Sequence, residues 1–327
     1  MRHSLLFRAV ALAPLAALAA CGGGDGGGVQ SASSNPSPTY TKFNDLSGAQ
    51  TMAASGLLYN VRSINGVVTL SIEASDPAIA TANYNATTGA VSLTGPQGRA
   101  SSFTAADISS QTATSTNYQK GLGAVAGLPT VPAERLIVST PSVGGVDLSY
   151  TRIGTWSIWN TTLGAYQSST GAFGVNTLAS DMPRTGSASY TVAVAGSGVQ
   201  SGSNITNMRI DPLTSTANFT ANFGSNNLTT SLNLTGFLQT GVSNGVIVFD
   251  SVAVPLINLT GNGTISATGS TFTGTLNSTG SGSMSGQFAG GFFGPQAAEM
   301  GYFYGASGQL VNGNNGFVVG TVVGRKP

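Results

Sequence analysis

The stretch Gly286–Gly305 reads GQFAGGFFGPQAAEMGYFYG. Aromatic residues crowd against glycines here, in a chain otherwise dominated by Ser, Thr, Gly, Asn and Ala. Met284, Gly286, Phe288, Gly290, Phe292 and Gly294 share one parity, so large side chains alternate with glycine on a single face of an extended strand. In a closed barrel, glycines let strands bend while the large residues beside them fill the taper. Pro295 suits the first position of a helix, where its missing N–H costs nothing. Ala297 and Ala298 favour helix, Glu299 puts a negative charge near the N-terminal end, and Gly301 ends the turn. The stretch therefore predicts a strand, one helical turn bridging a hairpin at a barrel mouth, and a second strand from Tyr302.

Outward from this hairpin, period-2 patterns dominate. Ala188, Tyr190, Val192 and Val194 alternate with Ser187, Ser189 and Thr191. Ala217, Phe219, Ala221 and Phe223 oppose Thr216, Asn218, Thr220 and Asn222, and Leu228, Leu232, Leu234 and Leu238 oppose Thr229, Ser231, Asn233 and Thr235. Each is a half-buried strand with one face in a core and one in water. Gly196-Ser-Gly198, Gly224-Ser-Asn-Asn227, Gly261-Asn-Gly263 and Asn312-Gly-Asn-Asn-Gly316 read as turn signals between strands. Many antiparallel neighbours in series predict an all-β fold, a roughly eight-stranded up-and-down barrel over residues 146–327. Residues 40–145 are less regular. They read as a smaller β-rich domain, with strands at Gly56–Ile72 and Ala90–Leu93 and an ambiguous, helix-like stretch from Phe103 to Ala126.

Residues 1–20 have a basic start, an apolar run and small residues before Cys21, which is a secretory signal. Leu18-Ala19-Ala20-Cys21 resembles the bacterial lipobox, in which the cysteine becomes the acylated N-terminus. An ordinary signal peptide, or a short anchor with an incidental cysteine, is the competing reading. The run is short and Pro-interrupted against the ~20 residues a helix needs to span a bilayer. Residues 21–39 are rich in Gly, Ser, Asn and Pro and read as a flexible lipidated linker. Residue 22 is Gly rather than Asp, which by resemblance to diderm lipoproteins favours the outer membrane.

Charged residues make up 7% of the chain, and removal of the signal takes Arg2 and Arg8, leaving ten basic against eleven acidic residues. Such a body has no electrostatic footprint for nucleic acid. His3, the chain's single histidine, goes with the signal, and Cys21 is the single cysteine. His-based acid–base catalysis, the Ser-His-Asp triad and His/Cys zinc sites are thereby excluded. Gly241-Val-Ser243-Asn-Gly245 matches G-x-S-x-G but lacks the histidine and the strand-to-helix context, so it reads as a hairpin turn. The carboxylates Asp45, Glu73, Asp76, Asp107, Glu134, Asp147, Asp181, Asp211, Asp250 and Glu299 are scattered, and none has EF-hand spacing. The sequence gives no catalytic residue, metal site, cofactor or ligand-binding residue. Trp156 and Trp159 have opposite strand parity, so one is expected in the core and the other outside, where Trp159 is a candidate ligand contact. Arg152 and Arg184 read as solvated strand-end charges.

Two blocks carry a family resemblance. Phe288-x-Gly290-Gly291-Phe292-Phe293-Gly294-Pro295-x-Ala297-x-Glu299-x-Gly301 resembles the closing hairpin of transferrin-binding protein B barrels, and factor H-binding protein barrels have a similar ending. Leu148-Ser-Tyr150-x-x-x-Gly154-x-Trp156, followed by Asp181-Met-Pro183-x-Thr185-Gly186-x-Ala188-x-Tyr190, is similar to the first strands of those barrels. The resemblance implies a handle-like domain at 40–145, a barrel at 146–327, and a lipid anchor holding the protein at the cell surface. It further implies non-catalytic binding of a host protein, or acquisition of iron, haem or another solute, with a TonB-dependent receptor as a potential partner. The patterned strands fit two other readings, a structural envelope or adhesin protein and an integral outer-membrane barrel.

Overall fold

The structure, a computed structural model, describes residues 38–64, 67–72, 79–95, 99–121, 132–160, 165–201, 205–243 and 246–327. Cys21, the linker as far as residue 37, Glu73 and Asp76 lie outside the described residues. Pro38–Pro327 forms one compact unit. It is all-β as expected, strands joined by turns of which the helical ones are three-residue 3-10 segments.

The first sheet is assembled from β1 (Ala49–Ile64), β2 (Val67–Ile72), β3 (Ile79–Asn85), β4 (Ala90–Thr94), β5 (Ala100–Phe103), β6 (Ile108–Gln111), β7 (Ser115–Lys120) and β8 (Glu134–Ser139). A tight hairpin follows, β9 (Ser142–Val143) and β10 (Val146–Asp147), turning at Gly144 and Gly145 with φ of +59° and +77°. Two more strands, β11 (Thr151–Asn160) and β12 (Ala165–Gly174), then return to the first sheet, giving the order β5-β4-β3-β1-β12-β11-β8-β7-β6 with β2 beside β1. Its core holds Phe43, Val91, Phe103, Tyr118, Leu136, Trp156 and Phe173. The helix-like stretch from Phe103 is mainly strand as far as Lys120, and its end at Ala126 lies outside the described residues. Asp107 closes a capping box with Thr104 over one 3-10 turn, and β6 and β7 then pair as a hairpin.

By strand pairing, the change of sheet falls between Gly174 and Ser187, later than the expected boundary at residues 145 and 146. Thr151–Asn160 alternates as a barrel strand would, but its partners are β8 and β12.

The second sheet runs through β13 (Ser187–Ser201), β14 (Ile205–Ile210), β15 (Thr216–Asn222), β16 (Asn227–Ser243), β17 (Val246–Phe249), β18 (Val254–Ile265), β19 (Thr271–Ser278), β20 (Ser283–Phe293), β21 (Glu299–Gln309) and β22 (Asn315–Arg325). β14 and β15 both lie between β13 and β16, as one strand interrupted at Asp211–Ser215, and β17 and β18 both extend along β16. Ten strands thus occupy eight positions in an antiparallel meander, and β22 pairs with β13 from Asn315 to Arg325, closing the ladder. Gly241 to Ser243 of G-x-S-x-G lie in β16, where Ser243 pairs with Val246 of β17, and Asn244 and Gly245 lie outside the described residues.

Residues of inward parity form the main core, including Phe219, Leu228, Leu232, Leu234, Phe272, Phe288, Phe292, Tyr302 and Val322. Glycines make room for the rings. Gly274 pairs with Phe288 on one side and Gly263 on the other, and the Phe288 ring lies across both. A Cβ at Gly274 would sit 2.3 Å from Phe288 Cζ, and one at Gly263 would sit 2.9 Å from it. Outward, Thr216, Asn227, Thr229, Asn233, Asn258 and Asn262 are exposed. A barrel crossing a bilayer carries an apolar band outside and polar residues within. This barrel has the reverse arrangement, which argues against the integral-membrane reading.

One interior group is at odds with its surroundings. The Tyr304 hydroxyl is buried, has no hydrogen-bond partner, and is held well above the usual phenol pKa by burial. It fits because Gly196 and Gly320 lack side chains; a Cβ on either would lie 2.8 or 2.6 Å from the oxygen. Tyr304→Phe removes an uncompensated polar group and is expected to leave stability unchanged or raise it by ~1 kcal/mol in denaturant unfolding. A loss of that size would show that the hydroxyl has a partner.

The hairpin of β20 and β21 is buried on both faces. Inward residues fill the barrel; outward residues receive the first sheet. Glu299, 6% exposed, accepts hydrogen bonds from the backbone N–H groups of Ser149 (2.6 Å), Tyr150 (3.0 Å) and Thr151 (2.9 Å), and from the Thr151 hydroxyl (2.9 Å). Gly301 lets β12 approach, since a Cβ there would be 2.8 Å from that of Ala172. Gly294, at φ +70°, lies under the Tyr150 ring. Thr177 donates through its N–H to Phe292 O and through its hydroxyl to Gly294 O, and Gly294 N–H donates to Val175 O. The Asp181 carboxylate accepts from Gln296 N–H, and the Tyr190 hydroxyl donates to Ala297 O.

The expected helical turn is therefore a 3-10 turn, Pro295–Ala297, in which Gln296 and Ala297 take φ of +48° and +58°. Glu299 opens β21 rather than complementing a helix dipole.

Candidate functional site

The part of the barrel formed by β14, β16 and β17 departs from the polar exterior. Arg209 pairs directly with Phe237, and Gln239 with Phe249, on the outward face. The Arg209 guanidinium stacks on both rings, 5.0 Å from the centre of Phe237 and 5.1 Å from that of Phe249. Beside them the Asn207 side-chain amide donates to Gln239 Oε1. Leu213, 91% exposed, and Val252, 65% exposed, project from the two adjoining turns, and Val242 and Val248 are exposed on the β16–β17 hairpin.

Local chemistry fixes these turns. Asp211 accepts from Leu213 N–H (3.1 Å) and from the Thr214 hydroxyl (2.6 Å), an Asx-type turn that leaves Leu213 outside. The Thr214 hydroxyl first, and then the Leu213 N–H, hold the Asp211 carboxyl below its usual pKa. The anchoring is thus present above the ordinary carboxylate range and is lost as pH falls through the depressed value. Val252 N–H donates to Asp250 Oδ1 in a similar turn. Phenylalanine and arginine with exposed aliphatics are the composition of protein-binding surfaces, where a few such side chains carry most of the affinity.

Sequence reading did not single out this surface. It pointed to Trp159, which is half-buried at the end of β11, while Trp156 is in the first sheet's core as expected and donates to Ser101 Oγ at 2.9 Å. Arg184 is exposed as expected. Arg152 is corrected: it is 2% exposed and stacks on Phe43. One available signal was leucine in the turn Asp211-Pro-Leu-Thr-Ser215, where polar residues are usual. Among the described residues, no three of His, Cys, Asp and Glu come together as metal ligands.

Comparison with known proteins places the barrel. Residues 182–324 match the family of the C-lobe and N-lobe beta barrels of Tf-binding protein B, so this segment is a transferrin-binding-protein-B-like barrel. No curated protein matches the chain in sequence. Among solved structures, the chain is similar to HpuA from Kingella denitrificans, solved in complex with human haemoglobin, at 15% identity over 89% of this chain and 90% of that one, with a TM-score of 0.34. It is also similar to isotype 1 transferrin binding protein B from serogroup B Neisseria meningitidis, at 13% identity over 86% and 77% of the two chains, TM-score 0.33.

Proposed function

We propose that this protein is an outer-membrane lipoprotein, anchored through acylated Cys21 and facing the cell surface, that binds a partner protein without catalysis as part of iron or haem acquisition. The observation that carries the reading is the match of residues 182–324 to a barrel family named for transferrin binding. The lipobox-like Leu18–Cys21 supports the anchor, since two or three acyl chains at ~0.8 kcal/mol per buried methylene hold a protein firmly.

The partner is proposed to dock on Arg209, Phe237 and Phe249. A TonB-dependent receptor would take up what is captured.

The test is capture of transferrin or haemoglobin by the full-length protein. Arg209→Glu combined with Phe249→Ala is expected to weaken that capture by about a hundredfold while leaving the melting temperature unchanged. Undiminished capture by the double variant would remove this surface from the account. Absence of binding to either protein, with no surface labelling of intact cells, would favour the envelope or adhesin reading. Mass spectrometry of the native N-terminus checks the anchor separately, with an acylated Cys21 expected.

A further inference from the structure

The first sheet holds a cavity of about 140 Å³ whose lining includes Phe43, Tyr84, Phe173 and Arg152. Its inner residues are buried, Arg152 at 2% and Phe173 at 5% exposure, while Thr112, Ala113 and Thr114 at its mouth are exposed. Phe43 and Tyr84 stack at 5.2 Å with planes 21° apart, and Phe173 meets Phe43 edge-on at 6.0 Å. These rings make a flat apolar slot. A cavity of this size takes a molecule of about the size of benzene.

Arg152 is the one charged side chain among the described residues that line it. Nη1 donates to Leu148 O (3.1 Å) and Thr151 O (2.7 Å), and Nη2 donates to Asn44 Oδ1 (2.6 Å). Its Cζ lies 4.3 Å from the centre of the Phe43 ring. All three acceptors are neutral oxygens, and a guanidinium has more N–H donors than these use. Glu299 and Asp147 act on it through space without hydrogen-bonding to it, the Glu299 carboxylate being taken up by Ser149, Tyr150 and Thr151 on the seam. Burial lowers the Arg152 pKa to about 10, so the group stays cationic at neutral pH in a place where charge is costly. A buried cation whose direct hydrogen bonds all end on neutral oxygens can take an anion as a further direct partner. Thr112, Thr114 and Ser115 are among the residues that line it.

We propose that this cavity is a binding site for a small organic carboxylate with a flat apolar body, the carboxylate toward Arg152 and the body among Phe43, Tyr84 and Phe173. The site is independent of any partner the barrel takes.

Benzoate is the probe, with benzyl alcohol as its uncharged counterpart, titrated calorimetrically into the full-length protein in detergent. Benzoate is expected to bind saturably and benzyl alcohol about ten- to a hundredfold more weakly, the worth of a charge-assisted hydrogen bond. Ala113→Trp, which places a large side chain at the exposed mouth, is expected to abolish benzoate binding with an unchanged melting temperature. Arg152→Gln is expected to equalise the two probes. Should that variant fail to fold, Ala113→Trp and the alcohol comparison still decide. No saturable benzoate binding, equal affinity for the alcohol, or full binding by Ala113→Trp would each overturn the proposal.

Discussion

Glu299→Ala is expected to destabilise the protein by about 3–5 kcal/mol, because it strands three backbone N–H groups and a hydroxyl that share one buried carboxylate. A domain is stable by only ~5–15 kcal/mol, so the loss is a large fraction of the total. Glu299→Gln is nearly as damaging. The amide retains one acceptor oxygen but turns an N–H₂ donor toward N–H groups that need acceptors. The damage should be local in its first effect. Amides of Ser149, Tyr150 and Thr151 lose protection before those of the barrel core, because the carboxylate joins the two sheets and fills neither. Denaturant unfolding with amide exchange checks both halves, and a loss below about 1 kcal/mol would mean that water replaces the carboxylate at little cost.

Phe292→Ala is expected to cost a similar ~3–5 kcal/mol through a different mechanism, loss of a buried ring and the cavity left behind. Phe292 is fully buried and meets Phe272 at 5.1 Å, Phe223 at 5.5 Å, Tyr190 at 6.1 Å and Phe219 at 6.2 Å between ring centres. Those rings come from β13, β15, β19 and the turn after β15, so the neighbours cannot close the gap by shifting one strand. Exchange should then rise throughout the barrel while Ser149–Thr151 keep their relative order. The contrast between the two variants separates closing the barrel from docking on it.

The barrel was legible because strands such as β15 and β16 have one wet and one dry face. Leu228 to Leu238 and Ala217 to Phe223 announce period 2 without any tertiary information. The hairpin's glycines were legible for the same reason, as small residues set among rings on one parity. The other parity was not legible. Ala289, Gly291, Phe293, Gly301 and Phe303 face a second sheet, and nothing local distinguishes an outward face in water from one under protein. The misread turn has the same origin. Pro-Gln-Ala-Ala has helix propensity, yet docking of Ala297 into the core and of its carbonyl on Tyr190 holds two residues at positive φ. Arg152 looked solvated because its acceptor Asn44 and its stacking partner Phe43 lie 108 and 109 positions away in sequence.

The family-like blocks looked like separate barrel strands, but they are the two sides of one contact. Tyr150 covers Gly294, the Ser149–Thr151 backbone binds Glu299, Asp181 holds Gln296 and Tyr190 holds Ala297. Residues spaced far apart in the chain thus converge on Gly294–Glu299, which explains why a resemblance could identify them while periodicity could not. The candidate surface at Arg209 was invisible for the opposite reason. Its two rings come from β16 and β17 on either side of a hairpin, and only their pairing brings them to one cation.

The most direct test is native-state amide exchange in the unsubstituted protein at Ser149, Tyr150 and Thr151. If the Gly286–Gly305 hairpin both seals the barrel and receives the first sheet through Glu299, these three amides exchange as slowly as those of β20 and β21. Exchange at the rate of an exposed loop would show that the two sheets are not joined there.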